Sequence, residues 1–135
     1  MRIRIPGKPI AKKRPRFVRR GKFVGTYNEQ ETEEGKWILL ARDQITEKIS
    51  KPSAVHLECE FRMPIPKSTS KKKTLEMHIG DIPHIKKPDL DNLIKFVKDC
   101  LNNLAWDDDS QVISIEAFKC YSNEPETIIE IMEDK

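Results

Sequence analysis

Apolar and polar residues alternate along four segments of the chain, and a period of two is typical of half-buried β-strands. The four predicted strands are Met1–Pro6, Val55–Met63, Gln111–Tyr121 and Thr127–Met132. A short segment containing Asn123 and Pro125 separates the last two. Because these residues favour turns, we predict that the last two strands form an antiparallel hairpin.

Two longer segments repeat apolar residues at spacings of three and four, which predicts amphipathic helices. The first predicted helix begins at Asn28 or Thr32 and ends at Ser50, just before Lys51-Pro52. The second extends from Asp89 to Leu104. Its apolar stripe, which we expect to be buried, consists of Leu90, Leu93, Ile94, Val97, Leu101 and Leu104.

Two polar segments separate these elements. Residues 7–27 are a basic loop with several Gly and Pro, in which Arg16–Val18 and Lys22–Val24 are predicted to pair as a small hairpin. Residues 64–88 are rich in Ser, Lys and Pro, and a loop this long inside a compact domain is usually functional or disordered. The order β, loop, α, β, loop, α, β, β predicts an α+β fold with two main helices on a mixed or antiparallel sheet.

A chain of 135 residues suits one domain, so we assign residues 1–135 to a single domain. It has no run of about 18 apolar residues, and its N-terminus lacks the apolar region of a signal peptide. Its three cysteines are an odd number without a CxxC spacing. They are expected to be reduced thiols of a cytoplasmic protein rather than zinc ligands.

Charge is distributed unevenly along the chain. Residues 1–24 carry ten Lys and Arg and no acidic residue, whereas the rest of the chain carries 15 basic and 22 acidic residues. Such basic clusters either bind a polyanion or form a solvated, partly disordered arm. The candidate binding residues are Lys12, Lys13, Arg14, Arg16, Arg19 and Arg20 in the first loop and Lys71, Lys72, Lys73, Lys86 and Lys87 in the second.

Aspartates cluster at both ends of the second predicted helix, where their mutual repulsion requires either solvent or a cation. They are Asp89, Asp91, Asp107, Asp108 and Asp109. Each group has an ordinary structural explanation. Asp89 is a natural N-cap whose carboxylate would accept from the first free amides. Asp91 and Lys95 can form a surface pair worth about 0.3–0.5 kcal/mol, and three adjacent acids can be a solvated turn.

A metal site is the alternative explanation. It requires either that the chain after the helix folds back, so that Asp109 approaches Asp91, or that a second copy completes the cluster. Two or three Asp side chains can bind Mg²⁺, which takes oxygen ligands and keeps several waters. Such an ion polarises a phosphodiester and activates water. Lys95 would then neutralise charge that develops on the phosphate.

The stretch from Lys86 to Val112, KKPDLDNLIKFVKDCLNNLAWDDDSQV, resembles the signature of the RusA family of Holliday junction resolvases. The specific part of the pattern is Asp-x-Asp-Asn-x-x-Lys followed by Asp-Asp-x-Gln. The N-terminal IPGKPIAKKRPRF and the loop MPIPKSTSKKK also resemble members of the family. The resemblance therefore spans nearly the whole chain.

The resemblance implies a small dimeric α+β endonuclease that cuts four-way DNA junctions by paired, symmetric nicks, with Mg²⁺ or Mn²⁺ as cofactor. It places the family's acidic residues at Asp89, Asp91 and Asp109 and its essential lysine at Lys95. Asp108 is a further candidate metal ligand, and no role is assigned to the first aspartate of that run. The two basic clusters would form the DNA-binding surface.

The segment Lys67–Lys87 is longer than in the shortest family members, so the sequence preference at the junction is not implied. Two other functions also compete with a nuclease. A nucleic-acid-binding module of the same fold would not need the acidic set, and a scaffold protein would leave the basic clusters unexplained.

Overall fold

A computed structural model describes residues 1–13, 16–20, 23–27 and 31–134, and for residues 16–20 and 23–27 it describes the backbone alone. The six strands are β1 (Arg2–Pro6), β2 (Arg16–Arg20), β3 (Phe23–Tyr27), β4 (Ala54–Pro64), β5 (Val112–Ser122) and β6 (Glu126–Asp134). The three α-helices are α1 (Glu31–Arg42), α2 (Lys71–His78) and α3 (Leu90–Leu101). The chain forms a small single α+β domain that contains a four-stranded mixed sheet, which confirms the predicted fold class.

The strands of the main sheet have the order β1-β6-β4-β5. Strand β4 is parallel to β5 and antiparallel to β6, so it lies between the two strands that were expected to form a hairpin. That prediction was wrong. Residues 123–125 connect β5 to β6 across the end of β4, and the Gly7 amide donates to the Pro125 carbonyl at 3.0 Å. The apolar strand β4 occupies the place between them because it can bury its side chains there.

Helices α1 and α3 pack on one face of this sheet around a single core. Every second residue of β4 from Val55 to Met63 is buried. Trp37 of α1 and Phe96 of α3 make an edge-to-face contact with ring centroids 5.9 Å apart. The buried residues of α3 are Leu93, Phe96, Val97, Cys100 and Leu101. Half of the predicted stripe is thus fully buried, and its other members pack at the margin of the core.

Helix α1 ends at Arg42, well before the predicted end at Ser50. The Gln44 side chain accepts from the Arg4 amide at 2.8 Å and donates to the Arg4 carbonyl at 2.9 Å, so it lines the free edge of β1. Further on, the Ile49 amide donates to the Ala105 carbonyl at 2.8 Å. These bonds to distant parts of the chain outweigh the helical periodicity after Arg42.

The polar segment between Pro64 and Pro88 was expected to lack regular structure, but it contains α2. Ser70 is the N-cap of this helix, and its hydroxyl accepts from the Lys73 amide at 3.3 Å. The helix lies against β5 but has no fully buried residue. A helix without a buried stripe leaves no apolar periodicity in the sequence, which explains why it was missed.

Strands β2 and β3 pair antiparallel, with Val18 opposite Gly25. The predicted hairpin in the basic loop is therefore confirmed, but it is longer than expected, and residues 16–18 pair with residues 25–27 rather than 22–24. Arg14 falls outside the described residues, and so do the side chains of Arg16, Arg19 and Arg20.

The cysteines are free thiols, as predicted. Burial raises the pKa of Cys59 and of Cys100 to about 12, so both remain protonated within the core. Each helix in the described part of the chain is too short or too polar to span a bilayer.

Candidate active site

The start of α3 carries two of the predicted site aspartates. Asp89 is the N-cap residue with an extended backbone, but its side chain makes no capping hydrogen bond. The expected contact of its carboxylate with the free amides was therefore wrong, and the carboxylate is exposed. Asp91, in the first turn, accepts from the Asn92 amide at 3.0 Å. Both carboxylates lie at the positive end of the helix dipole.

Lys95 lies one turn further along α3. Among the described residues, its ion pair is not with Asp91. Its Nζ is 3.8 Å from Oδ2 of Asp99 instead, and its side chain is 63% exposed. Oδ2 of Asp99 is also 3.5 Å from Nζ of Lys12. Lys12 in turn donates to Oε1 of Glu34 at 2.7 Å. A chain of alternating charges thus connects α1 and the N-terminal segment to Lys95.

Lys12 was predicted to bind a polyanion, but its charge is balanced within the protein. Its side chain is 19% exposed, and the hydrogen bond to Glu34 is the main cause of its raised pKa. Its amide also donates to the Asn92 carbonyl at 2.9 Å, in the first turn of α3. These contacts suit a residue that attaches the basic segment to α1 and α3, and they leave no free cation at this position.

The chain folds back sharply after α3. The helix ends at Leu101 rather than at the predicted Leu104, and Asn103 has a φ of 66° in the left-handed region. The next buried residues are Ala105 and Trp106, and both are fully enclosed. Nε1 of Trp106 donates to Oδ1 of Asp109 at 3.0 Å. The core therefore holds one carboxylate oxygen of Asp109 in place.

The two preceding aspartates have structural partners. Oδ2 of Asp107 accepts from the Lys51 amide at 2.9 Å, and this bond is the main cause of the lowered pKa of Asp107. Oδ2 of Asp108 accepts from the Ser110 amide at 3.0 Å, and the Asp108 amide donates to Oε1 of Gln111 at 2.9 Å. Asp107 is thus bound to the chain near Lys51 and is not part of a merely solvated turn. The Asp108 carboxylate caps the short turn that contains Asp109.

Asp91, Lys95 and Asp109 border one groove of about 230 Å³ on the exposed side of α3. Asp89 and Asp108 are not among its lining residues. From Asp91 to Asp99 the groove follows about two turns of α3, a length of about 12 Å at 1.5 Å per residue. Its other lining residues are Ile94, Lys98, Asp99 and Ile115.

The groove offers the oxygen ligands that Mg²⁺ prefers, because the carboxylates of Asp91 and Asp109 both border it. Within residues 1–13 and 31–134, no three His, Cys, Asp or Glu side chains are placed to hold a metal ion together. Mg²⁺ is commonly held by one or two carboxylates and several waters. The donors therefore fit Mg²⁺ with water ligands, whereas a cage of three aspartates is not assembled in one chain.

Two residues of the groove, Lys98 and Asp99, were not among the predicted site residues. Asp91, Lys95 and Asp99 follow one another at four-residue spacing, so they share one face of α3. That spacing was visible in the sequence. The contact of Asp99 with Lys12 was not visible, because it depends on where the N-terminal segment crosses the helix.

The remaining described basic candidates lie around the start of α3 and on α2. Lys86 and Lys87 are exposed and precede Asp89, with Pro88 in between. Lys13 is exposed and lines a second groove beside Pro88. The first turn of α2 exposes Lys71, Lys72 and Lys73.

Comparisons with known proteins show which family the chain resembles. A family model described as "Endodeoxyribonuclease RusA" matches residues 6–132. The chain is also similar to an "Uncharacterized protein YqaN" of Bacillus subtilis (strain 168), with 33% identity over 136 residues. That alignment covers 98% of this chain and 96% of the relative. Every residue that borders the groove lies inside the matched range.

Proposed function

This chain belongs to the endodeoxyribonuclease RusA family, and we propose that it is a Mg²⁺-dependent endonuclease that resolves four-way DNA junctions by paired, symmetric nicks. The observation that carries the proposal is the groove on α3. It brings Asp109, which follows the end of the helix, to the same surface as Asp91 and Lys95 of α3. Exposed lysines on both sides of the α3 start would bind the DNA phosphates.

In the proposed reaction, Asp91 and Asp109 would hold Mg²⁺ at the groove, and Asp89, exposed at the start of α3 but outside the groove lining, would be a further ligand. A Mg²⁺ ion bound in such a site supplies polarisation of the phosphodiester and activation of water. Lys95 neutralises the charge that develops on the scissile phosphate. Asp99 orients Lys95, and Trp106 orients Asp109. Mn²⁺ is expected to substitute for Mg²⁺.

Paired nicks require two active sites on one junction. We propose that two copies of the chain form a homodimer in which each groove cuts one strand. A closed two-fold dimer presents the same surface twice, which matches the symmetry of a four-way junction.

One gel tests the function. The purified protein is incubated with a labelled four-way junction or with a linear duplex of the same sequence, with Mg²⁺ or with EDTA. We expect two symmetric nicks in the junction with Mg²⁺, and no cleavage of the duplex or in EDTA. Equal cutting of both substrates would contradict junction selectivity, and cutting in EDTA would contradict the metal requirement.

A DNA-binding module of the same fold with weak or no cleavage is the second candidate. It is favoured by one observation, namely that the described residues do not assemble a three-ligand metal cluster. The same gel separates the two functions. A module of this kind would shift the junction in a native gel with and without Mg²⁺ and would leave both strands intact.

The basic residues are expected to differ in role. Lys72→Ala removes an exposed charge and should reduce the slope of log Kd against log salt by about 1, with unchanged stability.

Lys12→Ala should leave that slope unchanged and lower the free energy of unfolding by about 1.5 kcal/mol, because it removes two ion pairs. Fluorescence anisotropy with labelled junction and urea denaturation measure the two effects. A salt slope lowered by Lys12→Ala would return Lys12 to the DNA-binding surface.

A further inference from the structure

The segment that leads into α3 is held by a residue of the sheet. Nζ of Lys119, on β5, donates to the Lys86 carbonyl at 2.9 Å and to the Pro88 carbonyl at 3.0 Å. The two acceptors flank Lys87 and immediately precede Asp89. One ammonium group therefore holds two carbonyls of the short segment that leads to the site aspartates of α3.

The position of Lys119 follows from the alternation of β5. Ile115 and Ala117 point to the helix side of the sheet and pack at the margin of the core. Lys119 continues the same row, opposite Phe61 of β4. A half-buried lysine at the end of an apolar row keeps its stem on the core and extends its ammonium to the nearest polar atoms. Here these atoms are the two carbonyls.

A second contact holds the beginning of the same segment. The ring of His84 packs edge-to-face on buried Tyr121, the next residue in the row, with centroids 4.8 Å apart. Burial is the main cause of the lowered pKa of His84, and Lys119 lowers it further. Residues 84–88 are thus attached to β5 at both ends.

We propose that Lys119 is a positioning residue for the carboxylates at the start of α3, an inference that rests on the proposed function. The Asp89 carboxylate makes no hydrogen bond of its own to the helix. Its location is therefore set by the backbone that precedes it, and Lys119 fixes that backbone. Asp91 follows on the first turn and moves with it. The ammonium group of Lys119 donates to these two main-chain carbonyls, so we infer that it acts through the aspartates and not on the DNA.

The test compares Lys119→Met, which keeps the stem and removes the donors, with Lys119→Arg, which keeps donors at similar reach. For Lys119→Met we expect kcat for junction cleavage to fall about 10- to 100-fold, with Kd for the junction unchanged. Lys119→Arg should recover most of the lost kcat. Lys36→Met, at an exposed lysine of α1, is the matched control and should retain full activity.

A second readout does not depend on cleavage. The ¹⁵N order parameters of Lys86, Lys87 and Asp89 should fall from about 0.85 to below about 0.6 in Lys119→Met, while those of β4 stay constant. If the parent protein does not cut junctions, the proposed function fails, but this measurement still decides the role of Lys119. Unchanged order parameters, or equal losses in kcat and in junction affinity, would overturn it. If Lys119→Met does not fold, Lys119→Leu, which also lacks donors, carries the same expectations.

Discussion

Asp91→Asn is expected to eliminate junction cleavage, with kcat lowered on the order of 10³-fold or more. The asparagine keeps the size of the side chain and an oxygen that can accept from the Asn92 amide, so the start of α3 stays intact. It removes the negative charge that a hard cation requires. Junction binding should survive, because phosphate contacts from basic residues dominate affinity.

Single-turnover cleavage with Mg²⁺ and a gel-shift assay with Ca²⁺ separate the two effects. Asp43→Asn is the matched control, since Asp43 is exposed beyond the end of α1 and outside the groove. It should cut at the rate of the parent protein. Cleavage by Asp91→Asn at a rate close to that of the control would remove Asp91 from the site.

Phe96→Ala should be the most destabilising substitution in α3, with a loss of about 3–5 kcal/mol in the free energy of unfolding. The ring is 1% exposed and makes an edge-to-face contact with Trp37. Its removal leaves a cavity between α1 and α3 that neither helix can fill without leaving the sheet. Urea denaturation followed by circular dichroism measures the loss.

Leu39→Ala is a suitable comparison, because Leu39 also lies on α1 but is 54% exposed. It should change stability by less than about 0.5 kcal/mol. Similar losses in Phe96→Ala and Leu39→Ala would mean that the contact between α1 and α3 contributes little to stability. The groove would then have to be supported by β5 alone.

The strands of the main sheet were predictable because their signal is local. Each strand has one face on the core, so the alternation of side chains reports it without knowledge of the partner strand. The order of the strands was not predictable in this way. A short turn joins β5 to β6, yet β4 lies between them, because β4 rather than β5 pairs with β6 in the assembled sheet. The end of α1 depends in the same way on the bond between Gln44 and Arg4.

Residue types and spacing, together with the resemblance to the RusA signature, nominated Asp91, Lys95 and Asp109, and all three border one groove in the fold. Residue types and spacing were insufficient to say which charges are already paired. Lys12 looks like any other residue of the basic loop, but two carboxylates balance it. Asp89 looks like an N-cap, but its carboxylate makes no capping bond. Such assignments depend on distances between separate elements, which a linear pattern does not contain.

The place of β6 in the sheet has a consequence for the making of the protein. This strand is the last element of the chain, but it lies between β1, the first element, and β4. While the chain is being synthesised, the first strand has no partner in the main sheet, because Arg2 must wait for Glu130. The main sheet can therefore close only after β6 (Glu126–Asp134) has been synthesised and has left the ribosome. Until β6 has emerged, β1 remains without a partner in the main sheet, and this domain of the nascent chain remains incompletely folded.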